Sequence, residues 1–233
     1  MPRFTSCYSD FCDRLGEVEL LRKTAAKLER GNDPIGHGDM ISALSRSSVV
    51  LLSSHIEAFI RELCESALDK TYSHGVDRSR LHKKVFYYHS SKLLEQISET
   101  SDAEKSATLV MKFIVDESGH WGDSGPLPGP INSTAFLSGF ANPRFKAIKK
   151  VFNRFGYQAY ESDLRGVLQA QSNIVLNSLE STVDTRNKIA HGDPSATKTP
   201  SEIATLMAHT RIVCRGTDKV FADWCKSSLC NIR

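Results

Sequence analysis

The sequence predicts an all-α fold, a helical bundle of about seven helices. Three observations carry this. Apolar residues recur at three- and four-residue steps along most of the chain, which is the spacing of one helix face. No run alternates apolar and polar residues long enough to make a half-buried strand. Residues that start and stop helices bracket several of the periodic stretches.

The first stretch runs from about Phe11 to Leu28, with Phe11, Leu15, Val18, Leu21, Ala25 and Leu28 on one face. "GNDPIGHGD" (31–39) breaks it. Asp39 is placed to cap a long helix reaching about Lys70, striped by Ile41, Leu44, Ser48, Leu51 or Leu52, His55, Phe59 and Leu63. Its segment "VVLLSSHIEAFIREL" (49–63) is apolar enough to lie at the centre. Shorter patterns follow near 80–99 (Val85, Leu93, Leu94, Ile97) and 102–117 (Leu109, Val110, Phe113, Ile114). Residues 118–143 hold five glycines and four prolines and read as an excursion, a length that usually marks function or mobility.

"NPRFKAIKKVFNRFG" (142–156) has Asn142 to cap, Pro143 in the first turn and Gly156 to stop. Arg144, Lys146, Lys149, Lys150 and Arg154 form its outer face, with no acid to offset them. "NSLESTVDTRNKIAHG" (177–192) opens with Asn177 and Glu180 at capping-box spacing and closes on Gly192 and Pro194. "TPSE" (199–202) is a second capping box, starting a helix through Trp224. Residues 1–39 read as an N-terminal helical extension and 40–230 as the main helical domain.

At 233 residues, 40% apolar and 24% charged, the chain suits one large soluble domain that needs no staples. A net charge of +3 permits a nucleic-acid partner without requiring one. Six scattered cysteines without a CxxC pair fit a reducing cytosol, so cytoplasmic localisation is expected. The N-terminus has acids among its apolar residues and no h-region of a secretory leader. No stretch approaches the roughly 18 apolar residues of a membrane span. There is no Walker loop and no GxGxxG. His37, His74, His82, His89, His120 and His209 show no H-x3-H or HExxH spacing, so neither a cofactor nor a metal is expected.

One short stretch carries chemistry. "RNKIAHG" (186–192) puts Arg186, Asn187 and His191 at a helix end. Arg186 continues the stripe of Leu179 and Val183, so it faces packed surface, where a guanidinium needs a partner such as phosphate or a carboxylate. Histidine starts near pKa 6.5, usable as acid or base. The plain structural alternative is a salt bridge and a helix cap. Glu57, on the long helix, is a candidate partner for Arg186 or a support for the site; its bland reading is a water-facing acid. Trp121 is read as a loop anchor rather than a stacking platform.

"RNKIAHG" resembles the R-x4-6-H signature of HEPN domains, with the polar residue that often follows the arginine. "SHIEAFIREL" (54–63), "NPRFKAIKKVFNRFG" and "TPSEIATLM" (199–207) are similar, in the same order, to segments of the bacterial RiboL-PSP-HEPN branch, so that the resemblance covers about residues 40–225. It implies an all-α homodimer whose paired motifs form a metal-independent endoribonuclease leaving 2′,3′-cyclic phosphate and 5′-OH ends. It implies a toxin–antitoxin or phage-defence setting, with an antitoxin or other defence-system protein as partner. His191 then serves as acid or base, Arg186 stabilises the phosphorane, and Asn187 orients the substrate. Lys188, Lys149, Lys150, Arg154 and Arg144 are the expected RNA contacts. Some members carry a modifiable tyrosine two residues after the histidine. Here Asp193 stands there, which puts control by that route in doubt. The alternative is a non-catalytic helical module that binds RNA or protein, or a scaffold subunit of a defence complex.

Overall fold

The computed structural model describes residues 4–233, and among them helices form and no strand does. The helices are α1 (Ser6–Glu29), α2 (Gly38–Ser73), α3 (Lys83–His89), α4 (Ser91–Glu99), α5 (Ala103–Asp116), α6 (Ser133–Phe136), α7 (Phe145–Arg154), α8 (Tyr160–Leu168), α9 (Ser172–Ala190) and α10 (Pro200–Ser228). The stretches read from the sequence are α1, α2, α3 with α4, α5, α7, α9 and α10. The pattern over 80–99 divides at Ser90, which ends α3 and begins α4. The short helices α6 and α8 are additional.

The long helices α1, α2, α9 and α10 pack on one another and hold the centre. Phe11 of α1 and Phe59 of α2 are fully buried, with ring centroids 5.4 Å apart. Each such burial stabilises by about 1.5–3 kcal/mol. Phe11, Leu15 and Val18 belong to the same apolar cluster as Leu52, Ile56 and Leu63. The N-terminal helix is therefore part of the bundle, and the boundary at residue 39 separates no second core. Thr5 ties the chain's start to α10, donating from its backbone N–H to the buried Asp218 carboxylate at 3.2 Å and from its hydroxyl to the other oxygen.

α7 and α8 are pinned to α10 by aromatic rings. Phe152 stacks on Phe221 at 4.4 Å, and the Tyr160 hydroxyl meets Thr217 at 2.9 Å. Gly216 sits inside α10 because α8 comes so close: a Cβ there would lie 2.9 Å from Leu164 Cδ1.

The Gly/Pro-rich segment is anchored rather than loose. Leu127, Ile131, Phe136, Leu137 and Phe140 are buried. Arg78 Nε donates to the Ser124 carbonyl at 2.9 Å, and the Gly125 N–H donates to Asp77 at 2.8 Å. The Trp121 ring packs against Phe86 and Phe113 at 6.2 and 6.0 Å, in the anchoring role expected for it.

Several caps differ from expectation. Asp39 lies in the first turn of α2 behind His37, where a carboxylate still suits the positive helix end. α7 begins at Phe145 with Arg144, not Asn142, in the cap position. Gly156 follows α7 at φ +94°, as expected of a stop. The capping box at Thr199 and Glu202, with Pro200 in the first turn, forms as read.

Candidate active site at the end of α9

α9 starts at Ser172, so Asn177 is an interior, exposed residue and caps nothing. Glu180 does not fold back on its own helix. It reaches α7, accepting from the Phe145 N–H at 2.9 Å and from Arg144 Nη1 at 2.8 Å. The motif helix thus caps the basic helix, and the two elements are set against each other one helical turn and a half before Arg186.

The end of α9 is a two-bond left-handed stop. The Gly192 N–H donates to Ile189 O and the Asp193 N–H to Lys188 O, both at 3.0 Å, with Gly192 at φ +80°. His191 is the last residue before the turn and is exposed. The chain beyond is fixed by Arg46 of α2, whose Nη1 donates to Asp193 O at 2.7 Å and reaches Pro194 O and Ala196 O at 3.4 and 3.3 Å. The Asp193 carboxylate accepts from the Ser195 hydroxyl and N–H at 2.7 and 2.9 Å, and these bonds hold it below the usual carboxylate range.

Arg186 is half-buried. Its Nη1 donates to Asn187 Oδ1 at 3.1 Å and to Asn142 Oδ1 at 3.4 Å. Among the described residues no carboxylate pairs with it, in contrast to Arg14, Arg22, Arg61, Arg144 and Arg165. Two neutral amides seat the guanidinium and leave its charge unneutralised. Glu57 is not its partner: Glu57 accepts from Arg61 Nε at 3.1 Å, one turn along α2.

The basic helix is more committed than its sequence suggests. Arg144 bridges Glu180 and Asp184 on α9, and Lys149 pairs with Glu161 of α8 at 2.5 Å. Arg154 donates to Phe136 O and Ser138 O and lies 4.1 Å over the Tyr88 ring; burial lowers its pKa. The expectation that no acid offsets this face fails because the acids come from α8 and α9, outside the segment. Lys146 and Lys150 stay exposed on α7, as does Lys188 on the last turn of α9. Beside the motif, Leu21, Val50, Leu51 and Ile189 line an apolar groove of about 530 Å³ that Arg46, Ser47 and Ser54 edge.

Sequence reasoning missed Arg46, although an arginine between serines, the lone formal charge between Asp39 and Glu57, is a visible signal. It also took Asn142 for a helix cap, where it is a seat for Arg186. One convergence of metal-ligating side chains lies on other elements, where His89, Glu117 and His120 bring ligand atoms within 4.8 Å of one another.

The family model for RiboL-PSP-HEPN matches residues 13–223. The chain belongs to this family. No curated protein and no solved structure matches it. HEPN domains are commonly ribonucleases or otherwise nucleic-acid related. In this HEPN domain the match takes in α1 from residue 13 onward, consistent with the packing of that helix into the bundle. No helix among the described residues is long and apolar enough to cross a membrane.

Proposed function

We propose that this HEPN domain is an endoribonuclease that cuts RNA by attack of a ribose 2′-OH on the adjacent phosphorus, giving 2′,3′-cyclic phosphate and 5′-OH ends. The observation that carries the reading is the Arg186 guanidinium, half-buried, held by two amides and left without a carboxylate, five residues before an exposed histidine. Structural arginines that lack a carboxylate here, such as Arg46 and Arg154, spend their donors on backbone carbonyls, whereas Arg186 meets only two side-chain amide oxygens, both through Nη1. An unneutralised fork of donors instead suits a phosphate whose charge grows in the transition state. His191, free of its own chain, serves as acid or base. Asn187 holds Arg186 in place and orients the substrate. Lys188, Lys146 and Lys150 supply the exposed phosphate contacts.

A homodimer completes the site in this reading. The apolar groove beside Ile189 borders the motif and is the surface offered to a second copy. A toxin–antitoxin or phage-defence role in the cytoplasm, with an antitoxin or defence-system partner, is part of the same proposal.

The non-catalytic reading is favoured by one observation. α5 exposes Val110, Met111, Ile114 and Val115, an apolar face suited to a partner protein.

The deciding experiment compares wild type, His191→Ala and Arg186→Ala on total RNA, with and without EDTA, followed by end-group analysis. Folding of each variant is checked by circular dichroism. Cyclic-phosphate ends from wild type alone support the enzyme. Intact RNA with purified, partner-free wild type turns the reading to the binding module.

A further inference from the structure

We propose that His89, Glu117 and His120 form a zinc-class metal site that fastens the Gly/Pro-rich segment to the helical body. His89 ends α3, Glu117 follows the last turn of α5, and His120 lies in the short turn Ser118–Trp121. One ligand atom from each lies within 4.8 Å of the others. A tetrahedral zinc with bonds of about 2.0–2.1 Å places its ligand atoms roughly 3.4 Å apart, so closing the set requires the His89 and His120 rings, whose centroids lie 4.1 Å apart, to re-aim their nitrogens. Two imidazoles and a carboxylate favour zinc and its transition-metal neighbours over magnesium or calcium, which take oxygen ligands. Three protein ligands leave a fourth position for water.

His120 is already disposed as a ligand. Its Nε2 faces the Gly129 carbonyl at 3.3 Å, so the ring proton belongs there. Its Nδ1 then carries a lone pair, and that atom is buried with no hydrogen-bond partner. An imidazole that gives one N–H to a backbone carbonyl and turns the other nitrogen inward is the usual arrangement of a metal-bound histidine. Glu117 is oriented too. Its Oε2 accepts from the Ser90 hydroxyl at 2.9 Å, and Ser90 accepts from Trp121 Nε1 at 3.2 Å.

His89 must change its proton on loading. In the metal-free ring Nδ1 accepts the Asn132 N–H at 2.9 Å, so the proton sits on Nε2 and points to Glu117 at 3.1 Å. Zinc takes the Nε2 lone pair. The Nε2 proton passes to water, Nδ1 gains one from water, and the Asn132 N–H gives up its acceptor. Net proton count on the ring is unchanged. Loading therefore reaches Asn132, whose side chain caps α6 through the Ala135 N–H at 2.9 Å. The metal would fasten the segment at its start, near 118, and release the His89 link at Asn132.

The test uses the full chain, freed of metal with a chelator that is then removed. Zinc binding is read by competition with a chromophoric indicator, and stability by thermal unfolding with and without zinc. Wild type and His191→Ala are expected to bind one zinc per chain and to gain stability from it. His120→Ala and Glu117→Gln are expected to lose at least about tenfold in affinity, and with it the thermal gain. Glu117→Gln keeps the shape of the side chain and so guards against misfolding in His120→Ala. The Asn132 amide resonance is expected to shift on loading. Absence of saturable zinc binding in wild type, or wild-type affinity in both ligand variants, overturns the proposal. Loss of binding in His191→Ala with retention in His120→Ala overturns it as well, by placing the metal elsewhere.

Discussion

Glu180, in the middle of α9, accepts the backbone N–H of Phe145 at 2.9 Å, so the helix that carries the motif caps the start of α7. The same carboxylate binds Arg144. Glu180→Ala removes both and strips the N-terminal N–H of α7 of its acceptor. The expected cost is about 1–2 kcal/mol, the scale of a lost helix cap. Glu180→Gln keeps an acceptor and is expected to recover part of it. Urea denaturation of the three proteins measures this, and equal midpoints would show that the cap is energetically idle.

Arg186→Ala separates function from stability. No carboxylate loses a partner when the guanidinium goes, so the stability change is expected to stay below about 1 kcal/mol. Cleavage is expected to fall at least about 100-fold, the scale of one lost transition-state donor. Arg186→Lys should rescue little, since an ammonium lacks the planar fork. A large loss of stability in Arg186→Ala would point to a structural arginine.

Gly192→Ala tests the stop of α9. Nothing lies within 4 Å of a Cβ at this position, so space is no obstacle, but φ is +80°. Holding an alanine there costs about 1–2 kcal/mol. Gly192→Asn should cost less, because asparagine tolerates this region better. Melting temperatures in the order Gly, Asn, Ala are the expected result. A shift of His191 through a rewound turn would show as lost cleavage in the alanine variant before stability fails.

The basic helix divides into two classes. Arg154→Ala is expected to destabilise by about 1–3 kcal/mol, since it orphans the Phe136 and Ser138 carbonyls and uncovers Tyr88. Lys146→Ala and Lys150→Ala are expected to leave stability alone and weaken RNA binding, each reducing the salt dependence of log K by about 0.7–0.9. Binding titrations at several salt concentrations distinguish them. An unchanged salt slope in both lysine variants removes α7 from the RNA path.

Acid should destabilise the fold through His55 and His82. Burial lowers the pKa of His55, against a partial opposing pull from Glu17 at 3.3 Å; burial and then Lys84 and Lys83 lower that of His82. A base depressed in the folded state is protonated first in the unfolded chain. Stability is therefore full above the unfolded value near pH 6.5 and falls as pH drops below it, until the folded rings also take up protons. Denaturation midpoints between about pH 8 and 5 should fall in wild type and fall less steeply in His55→Gln. A flat wild-type profile contradicts this.

Local signals made much of this protein legible. The three- and four-residue periodicity marked each long helix, because burying one face of a helix imposes that spacing on the chain whatever it packs against. The stops at Gly156 and Gly192 and the box at Thr199 were readable for a similar reason: their bonds close within a few residues. The motif from Arg186 to His191 was likewise contained in one short stretch, and the family match bears out the resemblance that it carries together with three other segments.

Only the tertiary structure decided who partners whom. It gave Glu180 to α7 instead of α9, turned Glu57 toward Arg61, neutralised Arg144 and Lys149 with acids from other helices, and sent Arg46 across to the chain beyond His191. It also gathered His89, Glu117 and His120 from three separate elements. Charges and hydrogen-bonding groups act over a few ångströms of space, not of sequence, so these pairings exist only once the helices have packed. The chain by itself determined which segments are helices and where its candidate site residues lie. Packing determined which of those residues stay free to act.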